Sequence, residues 1–461
     1  MVWRHTHGQQ TPNIMLIHRF DRDQRIRVLQ SILIASCAIA ISCQRFEIPT
    51  GNVNHYRIYL KLVPEQQLIE AKVELRFIGN GLDSLSFALH KQFEILSVKA
   101  KGLEVYQFDT ETPNTLPWIP EGGNLHLRFI KPLQKGDRIR IQFTYRGKIT
   151  EWPDWLANVV TEDWVELGLY LPWFPYNGSY GEFTFIVDAE CDPDYQLCGL
   201  GDIKKEDNKW RFSSRSPQKD IIIVASRDLK ATRNSDGDYL SSIYYVSIHD
   251  STAEGIAQDL RWVLEHFDAW FGGDMPKEIT LVESMRERGG GYTRRGLIVL
   301  AGLRDRDYYD SYESYFRYLA HETAHIWWSV APVDSWEDWL NESFAEYSAL
   351  LAVQEKFGTK AFERRLRNKA ETIPGTAPIW GFNRVDRSTQ EKSQEIQILL
   401  YNKGPVLLHE LATKIGNDSF LALCREVVSQ EVRRTGQLLE ILRYLEGDVV
   451  KNWFEEGLKS S

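Results

Sequence analysis

The segment HETAH at residues 321–325 places two histidines four positions apart, with a glutamate directly after the first. On a helix, residues four apart lie one turn from each other on the same face, so His321 and His325 can reach one metal ion. Glu322 then points to the side of that ion, where its carboxylate can take a proton from a water that zinc has made more acidic. The spacing predicts a catalytic zinc site, and the alternative is a pair of core histidines beside a surface acid.

A second segment, WLNESFAEY at residues 339–347, supplies further carboxylates. Glu342 is the candidate third ligand, because a His, His and Glu set leaves the fourth tetrahedral position open, as catalytic zinc sites do. Glu346 lies one helical turn beyond Glu342, where it is expected to hold the far ring nitrogen of a histidine ligand. A solvated charge on the helix surface is the alternative for Glu346.

The first half of the chain has the pattern of a β domain. From Phe46 to about Ile248, short runs alternate apolar with polar residues and are separated by turn residues. This alternation is typical of an antiparallel sheet with one buried face. We therefore predict a β domain at residues 44–248.

Helical patterns dominate the second half, from residue 249 to residue 461. Thr252 to Phe271 has helical spacing and closes on two glycines. HETAH is interpreted as part of a helix that Pro332 stops, and WLNESFAEY as the beginning of a helix that runs to Gly358. The predicted fold class is therefore α+β, with an antiparallel β-sheet domain followed by a mainly helical domain.

Residues 1–43 are interpreted as a signal rather than as part of either domain. Four arginines between residues 19 and 27 precede an uncharged run from Val28 to Cys43. This run is shorter than the roughly 20 residues that span a bilayer as a helix, which favours an export signal. Its end resembles a bacterial lipoprotein signal with Cys37 or Cys43 as the lipidated residue; an ordinary cleaved signal or an uncleaved anchor are the alternatives. The protein is expected to be exported and to lie in the cell envelope, anchored to a membrane or free outside the cytoplasm.

Composition excludes several classes of protein. The 461 residues are 43% hydrophobic, which is enough for a sizeable core. Lys and Arg total 55 against 64 Asp and Glu, and no long basic block is present, so nucleic acid is not an expected partner. The five cysteines are too few for a disulfide scaffold. Cys191 and Cys198 are read either as a hairpin disulfide or as buried free thiols.

Taken together, HETAH and WLNESFAEY resemble the aminopeptidase-N and leukotriene-hydrolase family of zinc metallopeptidases. Tyr401-Asn402-Lys403-Gly404 is similar to the Tyr-x-Lys-Gly of that family, in which the tyrosine hydroxyl stabilises the oxyanion at the attacked carbonyl. The resemblance implies a β domain followed by a thermolysin-like catalytic domain. It also implies a short form without the helical C-terminal domain of larger members, and hence a cleft that is more open on one side.

The sequence departs from the family pattern in two places. Sixteen residues separate His325 from Glu342, two fewer than in the family, so the turn between the two helices is expected to be shorter. The second departure is in the strand that lies along the substrate, where the family has Gly-x-Met-Glu-Asn. The residues that this resemblance assigns to substrate binding are Gly290, Gly291, Tyr292, Thr293 and Arg294.

Thr293 stands where the family has the glutamate that binds the free α-amine of the substrate. A hydroxyl cannot pair with an ammonium as a carboxylate does, and Arg294 and Arg295 would repel one. The alternative for both arginines is a solvent-facing edge strand that charge keeps from aggregating. Another acid, such as Glu283 or Glu287, is the alternative anchor for the amine.

The sequence therefore predicts a zinc-dependent peptidase with one zinc per chain, held by His321, His325 and Glu342. Glu322 and Tyr401 are the predicted catalytic residues, and a peptide or protein is the predicted substrate. Hydrolysis is expected without strict dependence on a free N-terminal amine. The alternatives are an ordinary aminopeptidase with a different amine anchor, a zinc hydrolase for a non-peptide amide or epoxide, and a zinc-containing lipoprotein that binds peptides with little turnover.

Overall fold

The structure is a computed structural model that describes residues 52–461, except residues 115, 117, 118, 153–157, 236, 237 and 287–289. Contacts divide the chain into two units, Met1–Thr50 and Gly51–Ser461, and only the second contains described residues. The predicted signal at residues 1–43, with Cys37 and Cys43, lies outside the described residues. None of the helices that the structure describes is long and apolar enough to cross a membrane.

Strands make up most of the regular structure before residue 246. In chain order they are β1 (Asn52–Val63), β2 (Leu68–Ile78), β3 (Ser84–His90), β4 (Glu94–Ala100), β5 (Leu103–Asp109), β6 (Gly122–Phe129), β7 (Arg138–Lys148), β8 (Val159–Val160), β9 (Val165–Leu167), β10 (Thr184–Glu190), β11 (Gln196–Gly199), β12 (Asp202–Glu206), β13 (Lys209–Ser213), β14 (Ile223–Ser226), β15 (Lys230–Asn234) and β16 (Leu240–Tyr245). Seven of them form a sheet in the order β12-β13-β10-β1-β2-β7-β4, and two smaller sheets have the orders β11-β14-β9-β8 and β3-β6-β5. The seven-stranded sheet is antiparallel except for β1 and β10, which pair in parallel.

Alternation along β2 shows why these segments form strands. Ile69, Val73 and Phe77 are buried, whereas Lys72 and Arg76, on the opposite face, are exposed. Since successive side chains of a strand point to opposite faces, this pattern buries one face of the sheet against the core and leaves the other in water. The seven-stranded sheet thus has one buried and one exposed face, as predicted for the first half of the chain.

The second half combines a five-stranded sheet with ten helices in the described residues. Its own strands are β17 (Glu278–Ser284), β18 (Tyr292–Arg294) and β19 (Leu297–Ala301), and its helices are α1 (Asp250–Phe271), α2 (Asp305–Asp310), α3 (Tyr312–Ala324), α4 (Trp339–Phe357), α5 (Thr359–Ala370), α6 (Gln390–Ile398), α7 (Gly404–Ile415), α8 (Asn417–Ser429), α9 (Thr435–Glu446) and α10 (Asp448–Lys459). The sheet has the order β15-β16-β17-β19-β18, so two of its strands precede the predicted boundary between residues 248 and 249 and three follow it. The domain boundaries stay predictions.

The five-stranded sheet separates two hydrophobic cores. Leu297 and Val299 of β19 pack into the core of the β-rich half, whereas Ile298 and Leu300 of the same strand pack into the core of the helical half. This division follows from the two-residue period of a strand. The sheet therefore holds β18, the strand at its edge, between the two halves.

Helix α3 ends earlier than the sequence suggested. It stops at Ala324, so the prediction that the helix runs on to Pro332 is wrong. The N–H groups of Ile326 and Trp327 donate to carbonyls three residues back, which tightens the chain into a turn directly after the helix. The side chains of Trp327 and Trp328 are buried in the helical core from this turn. Helix α4, by contrast, ends next to Gly358 as predicted.

The three described cysteines, Cys191, Cys198 and Cys424, are buried and free. Of the two readings of Cys191 and Cys198, the structure therefore shows free thiols. Burial raises the pKa of Cys191 to about 12, so this thiol stays protonated at neutral pH.

Candidate metal centre

Two imidazoles meet at the C-terminal end of α3. His321 lies in its last turn and His325 directly follows the helix, with ring centroids 4.9 Å apart and ring planes at 90°. Nδ1 of His325 lies 2.9 Å from the carbonyl oxygen of Trp328. A carbonyl only accepts, so Nδ1 carries the proton and Nε2 is left as a lone-pair donor.

Glu342 of α4 faces both histidines. Its Oε2 atom lies 3.5 Å from Nε2 of His321 and 3.6 Å from Nε2 of His325. One ligand atom from each of the three residues lies within 4.8 Å of the other two. Oε2 of Glu342 is buried without a hydrogen-bond partner, which is costly unless a cation satisfies it. Two imidazole nitrogens and this unpaired carboxylate oxygen fit the ligand set of a zinc ion that keeps its fourth position open.

The charges of this cluster change the protonation of its members. Burial alone would lower the pKa of His321, but the adjacent carboxylates of Glu342 and Glu346 outweigh burial and raise it to about 10. Burial would raise the pKa of Glu342, but the nearby His325 and His321 hold it well below its usual range. The carboxylates around His321 therefore favour its protonated form, while the histidines favour the ionised form of Glu342.

The short turn between α3 and α4 is held by Asn341, the residue before the candidate ligand. Its amide accepts from the N–H of Ala331 and donates to the carbonyl of Ala331, both at 3.1 Å, and it also donates to Asp338 at 2.8 Å. Nε of Arg384 donates to the other oxygen of Asp338 at 2.7 Å. This clamp fixes the first turn of α4, so Glu342 reaches the histidines although the turn has two fewer residues than the family pattern.

Glu346 lies behind His321 and is fully buried rather than solvated. Its Oε2 lies 3.0 Å from Nδ1 of His321 and 2.6 Å from Nη1 of Arg317, and its Oε1 lies 2.7 Å from Nζ of Lys369. Burial would raise the pKa of Glu346, but the two cations and His321 lower it far below its usual range. An ionised carboxylate at Nδ1 orients the ring so that Nε2 faces Glu342.

Glu322 lies against Gly291, the residue that precedes β18. A Cβ on Gly291 would lie 2.8 Å from the carboxyl carbon of Glu322, so only glycine fits there without a shift. The hydroxyl of Thr293 donates to the backbone carbonyl of Glu322 at 2.7 Å. Burial raises the pKa of the Glu322 carboxyl group, against the opposing charges of His321 and His325. A carboxylate with a raised pKa beside the two histidines is suited to accept and return a proton.

Tyr401 approaches the histidines from a π-helical turn, Leu399–Lys403, that joins α6 to α7. Its ring centroid lies 5.6 Å from that of His321. Burial and the charge of Glu342 raise the pKa of Tyr401 well above its ordinary value, so the phenol stays neutral and can donate a hydrogen bond. Turns of this type inside a helix are frequent at functional sites.

The π-helical turn is fixed against α4 by close packing. Ser343 donates from its hydroxyl to the carbonyl of Leu400 at 2.7 Å. A Cβ on Gly404, the first residue of α7, would lie 1.9 Å from Oγ of Ser343, so glycine is required for this approach. Ser343 follows Glu342 directly, and the candidate ligand and Tyr401 are therefore positioned by one helix contact.

The predicted substrate-binding residues divide into two groups. Gly291 lies directly against the carboxyl group of Glu322, whereas a Cβ on Gly290 would have no atom within 4 Å. The side chain of Tyr292, by contrast, is buried and donates from its hydroxyl to Glu166 at 3.0 Å. Thr293 is committed to the Glu322 carbonyl. Their roles in substrate binding stay predictions, and Gly291 is the one whose backbone lies beside Glu322.

Arg294 is not solvent-facing, so that alternative is wrong for this residue. Its Nε donates to Asp220 at 3.0 Å, with side chains 14% and 1% exposed, and its guanidinium lies over Tyr170. Arg295 does point outward, is 46% exposed and donates to the carbonyl of Asp274. Because Asp220 neutralises Arg294, the expected repulsion of an ammonium by this residue is weaker than the sequence suggested.

Glu283 is not available as an anchor for a substrate amine. Its Oε2 accepts from the N–H groups of Val246 and Ser247 at 2.7 and 2.9 Å, and its side chain is 1% exposed. Its carboxylate thus fixes the chain after β16. Glu287, the other proposed anchor, lies outside the described residues.

Another carboxylate near β18 belongs to Glu166 of β9, which the sequence did not identify as a site residue. It is fully buried and accepts from Tyr292 at 3.0 Å, from Ser284 at 2.6 Å and from the indole of Trp164 at 3.1 Å. Arg286 adds an ion pair at 3.9 Å. Glu166 is thus satisfied within the protein.

The sequence reasoning also missed Asp220, Arg317 and Lys369, each of which contacts a predicted site residue. Arg317 lies four residues before His321 and so shares its helix face, which is a signal that could have identified it. Asp220 and Lys369 lie far from their partners in sequence, and no local pattern marks them.

Comparison with known proteins identifies the kind of domain. Residues 295–455 match the Peptidase family M1 domain. Endoplasmic reticulum aminopeptidase 2 of Homo sapiens is 30% identical over 112 residues, and the Bos taurus protein of the same name is 29% identical over 110 residues. These matches cover 23% and 22% of this chain but only 11% of each relative.

Solved structures resemble the chain over nearly its whole described length. An M1 zinc metallopeptidase from Deinococcus radiodurans has a TM-score of 0.69 at 16% identity, with 89% of this chain and 94% of that chain covered. A mutant from Deinococcus radiodurans bound to a Tyr-Ser-Ala substrate has a TM-score of 0.66 at 17% identity, with 89% and 95% covered. These likenesses confirm the predicted fold, a β domain followed by a helical domain.

Proposed function

Since this chain belongs to the aminopeptidase-N-like M1 family that its sequence resembles, we propose that it is a zinc-dependent peptidase. The observation that carries the proposal is the convergence of His321, His325 and Glu342, with a buried carboxylate oxygen that lacks a hydrogen-bond partner. In the proposal these three residues hold one zinc ion. Bound zinc polarises a carbonyl group and makes water acidic enough to attack it near neutral pH.

The other site residues supply proton transfer and charge stabilisation. Glu322 accepts the proton of the attacking water and returns it to the leaving amine, for which its raised pKa is suited. Tyr401 donates its hydroxyl hydrogen to the oxygen of the attacked carbonyl, where negative charge develops. Glu346 keeps the ring of His321 in position during the reaction.

Within this function, hydrolysis does not depend strictly on a free N-terminal amine. Thr293 stands where the family resemblance expects the amine-binding glutamate, and its hydroxyl is committed to a backbone carbonyl. Glu283 is committed to two backbone N–H groups, and Glu166 to four partners that include Arg286. No carboxylate among these is free to pair with an ammonium. An ordinary aminopeptidase is the alternative, because the curated relatives carry that name.

A library experiment tests the proposed function. The purified protein is incubated with mixed peptides in the presence of zinc, and the products are identified by mass spectrometry. Peptide cleavage that the Glu322→Gln variant lacks supports the proposal. If zinc is bound and no peptide is cleaved, the peptide-binding alternative replaces the peptidase.

We propose further that the protein is exported and attached to a membrane through its N-terminal segment. The uncharged run before Cys37 and Cys43 supports this location. The native protein should then partition into detergent, whereas a protein that begins at Phe46 should remain in the aqueous phase with full peptidase activity. Aqueous partition of the native protein would contradict the attachment.

A further inference from the structure

Lys369 contacts two parts of the metal centre: Glu346, which faces the candidate ligand His321, and the backbone of Tyr401. It lies on α5, one residue before the end of that helix, and its side chain is 15% exposed. Its Nζ lies 2.7 Å from Oε1 of Glu346 and 2.7 Å from the carbonyl oxygen of Tyr401, with Oδ1 of Asn402 at 3.4 Å. The ammonium group donates hydrogen bonds to the oxygens of Tyr401 and Asn402 and forms an ion pair with Glu346.

The first of these contacts acts on the metal side. Glu346 faces Nδ1 of His321 through Oε2, and Arg317 binds the same oxygen. Lys369 binds the other oxygen, so the carboxylate is held at both ends. A carboxylate fixed in this way can rotate only if one of its two ion pairs breaks.

The second contact acts on the tyrosine side. The carbonyl of Tyr401 belongs to the π-helical turn Leu399–Lys403, in which the regular α-helical hydrogen-bond pattern is interrupted. Lys369 donates to this carbonyl from another helix, and it therefore restrains the backbone that carries the phenol. Among the described residues, Arg317 donates to Glu346 but makes no hydrogen bond or ion pair with this turn, so it provides a matched comparison.

We propose that Lys369 is a positioning residue that couples the support of His321 to the placement of Tyr401. The inference rests on the proposed function, because it assigns Lys369 to the same hydrolytic site. One ammonium group then keeps the zinc ligand and the oxyanion donor in a fixed relation, although the two lie on separate helical segments. Neither Lys369 nor Arg317 touches the reacting atoms in this assignment.

A double-mutant cycle with Tyr401→Phe tests the coupling. At saturating zinc, Lys369→Met is expected to lower kcat about tenfold in the protein that retains Tyr401, but less than about twofold in the Tyr401→Phe background. Arg317→Met is expected to lower kcat by the same factor in both backgrounds. Lys360→Met, an exposed lysine on the same helix, should change nothing. An equal loss for Lys369→Met in both backgrounds would overturn the proposal.

Two further measurements do not need turnover. Hydrogen exchange of the amides of residues 399–404 should become at least about threefold faster in Lys369→Met and stay unchanged in Arg317→Met. The zinc dissociation constant, measured by competition with a chelator, should rise about tenfold to a hundredfold in both variants. If the turn exchanges at the wild-type rate in Lys369→Met, the lysine does not restrain it and the assignment is wrong.

These measurements test the peptidase function and the positioning role of Lys369 separately. A wild-type protein that binds zinc but cleaves no peptide would reject the proposed function, while hydrogen exchange and zinc affinity would still decide the role of Lys369. Circular dichroism establishes that each variant is folded. If Lys369→Met does not fold, Lys369→Gln enters the same measurements, because an amide at this position keeps a donor but removes the charge.

Discussion

Gly291 faces the carboxyl group of Glu322 so closely that a Cβ at residue 291 would lie 2.8 Å from the carboxyl carbon. The same Cβ would lie 2.8 Å from the backbone carbonyl oxygen of Val299, so the added methyl group is also blocked by the backbone of β19. Adding one methyl group there therefore moves the predicted general base. Gly290, next to it, has no atom within 4 Å of its own Cβ position.

The two glycines give the first prediction. Gly291→Ala should lower kcat at least about tenfold while zinc stays bound, because a small displacement of a proton acceptor is costly in catalysis. Gly290→Ala should keep at least half of the wild-type activity. Steady-state kinetics and metal analysis check both variants, and full activity of Gly291→Ala would contradict the close contact.

Metal content provides the second prediction. The protein should carry about one tightly bound zinc per chain, and His325→Ala should lose it, because two ligands remain where catalytic zinc needs three. Atomic absorption after gel filtration measures the ratio. If the wild type contains no zinc after gentle purification and supplementation with zinc, the ligand assignment fails.

The third prediction separates metal binding from chemistry. Glu322→Gln keeps the shape of the side chain but cannot accept a proton, so it should retain zinc and lose several orders of magnitude in kcat. Tyr401→Phe removes one hydrogen-bond donor to the oxyanion and should lose about two to three orders. Wild-type turnover by Glu322→Gln on a verified substrate would show that another group is the base.

The fourth prediction concerns protons released by zinc. The pKa of His321 is raised to about 10 in the metal-free protein, so this histidine is protonated at pH 7 and must lose its proton to bind the ion. Zinc affinity should therefore rise between pH 7 and pH 9, and the heat of binding should depend on the ionisation enthalpy of the buffer. Glu346→Gln should release fewer protons, since Glu346 helps to raise this pKa. Equal heats in two buffers of different ionisation enthalpy would contradict the prediction.

Substrate choice provides the fifth prediction. A peptide and its N-acetylated twin should be cleaved with similar kcat/KM, because Thr293 stands in place of the amine-binding glutamate and the described carboxylates of Glu283 and Glu166 are bound to partners within the protein. A charge-assisted hydrogen bond to an ammonium contributes about 1.5 to 3 kcal/mol, which would otherwise favour the free peptide tenfold to a hundredfold. Cleavage of the free form alone, one residue at a time from the N-terminus, would identify an ordinary aminopeptidase.

Local sequence spacing predicted the part of the site that lies at the end of α3 and in the first turn of α4. His321, His325 and Glu342 come together because one helical turn aligns the histidines and the next long helix faces them. The alternating burial of strands in the first half, as in β2, follows from the two-residue period of the sequence. The end of α4 at Gly358 follows from a helix-ending glycine.

Contacts between residues far apart in the chain could not be predicted from local sequence spacing. Asp220 lies 74 residues before Arg294, and without knowledge of this pair the arginine looked like a free positive charge on an edge strand. Lys369 reaches Tyr401 across 32 residues for a similar reason. The early end of α3 depends on where Trp327 and Trp328 pack, which is a property of the core and not of the helix sequence.

The π-helical turn Leu399–Lys403 sets the rotational phase of two contiguous helices. Each residue of an α-helix advances by about 100°, so one residue more in a turn rotates everything after it by that angle. This offset allows Tyr401 to face His321 while Gly404 still meets Ser343. If Asn402 were deleted, the segment could continue as a regular α-helix. It would then lose either the contact of Tyr401 with His321 or the packing of α7 on α4.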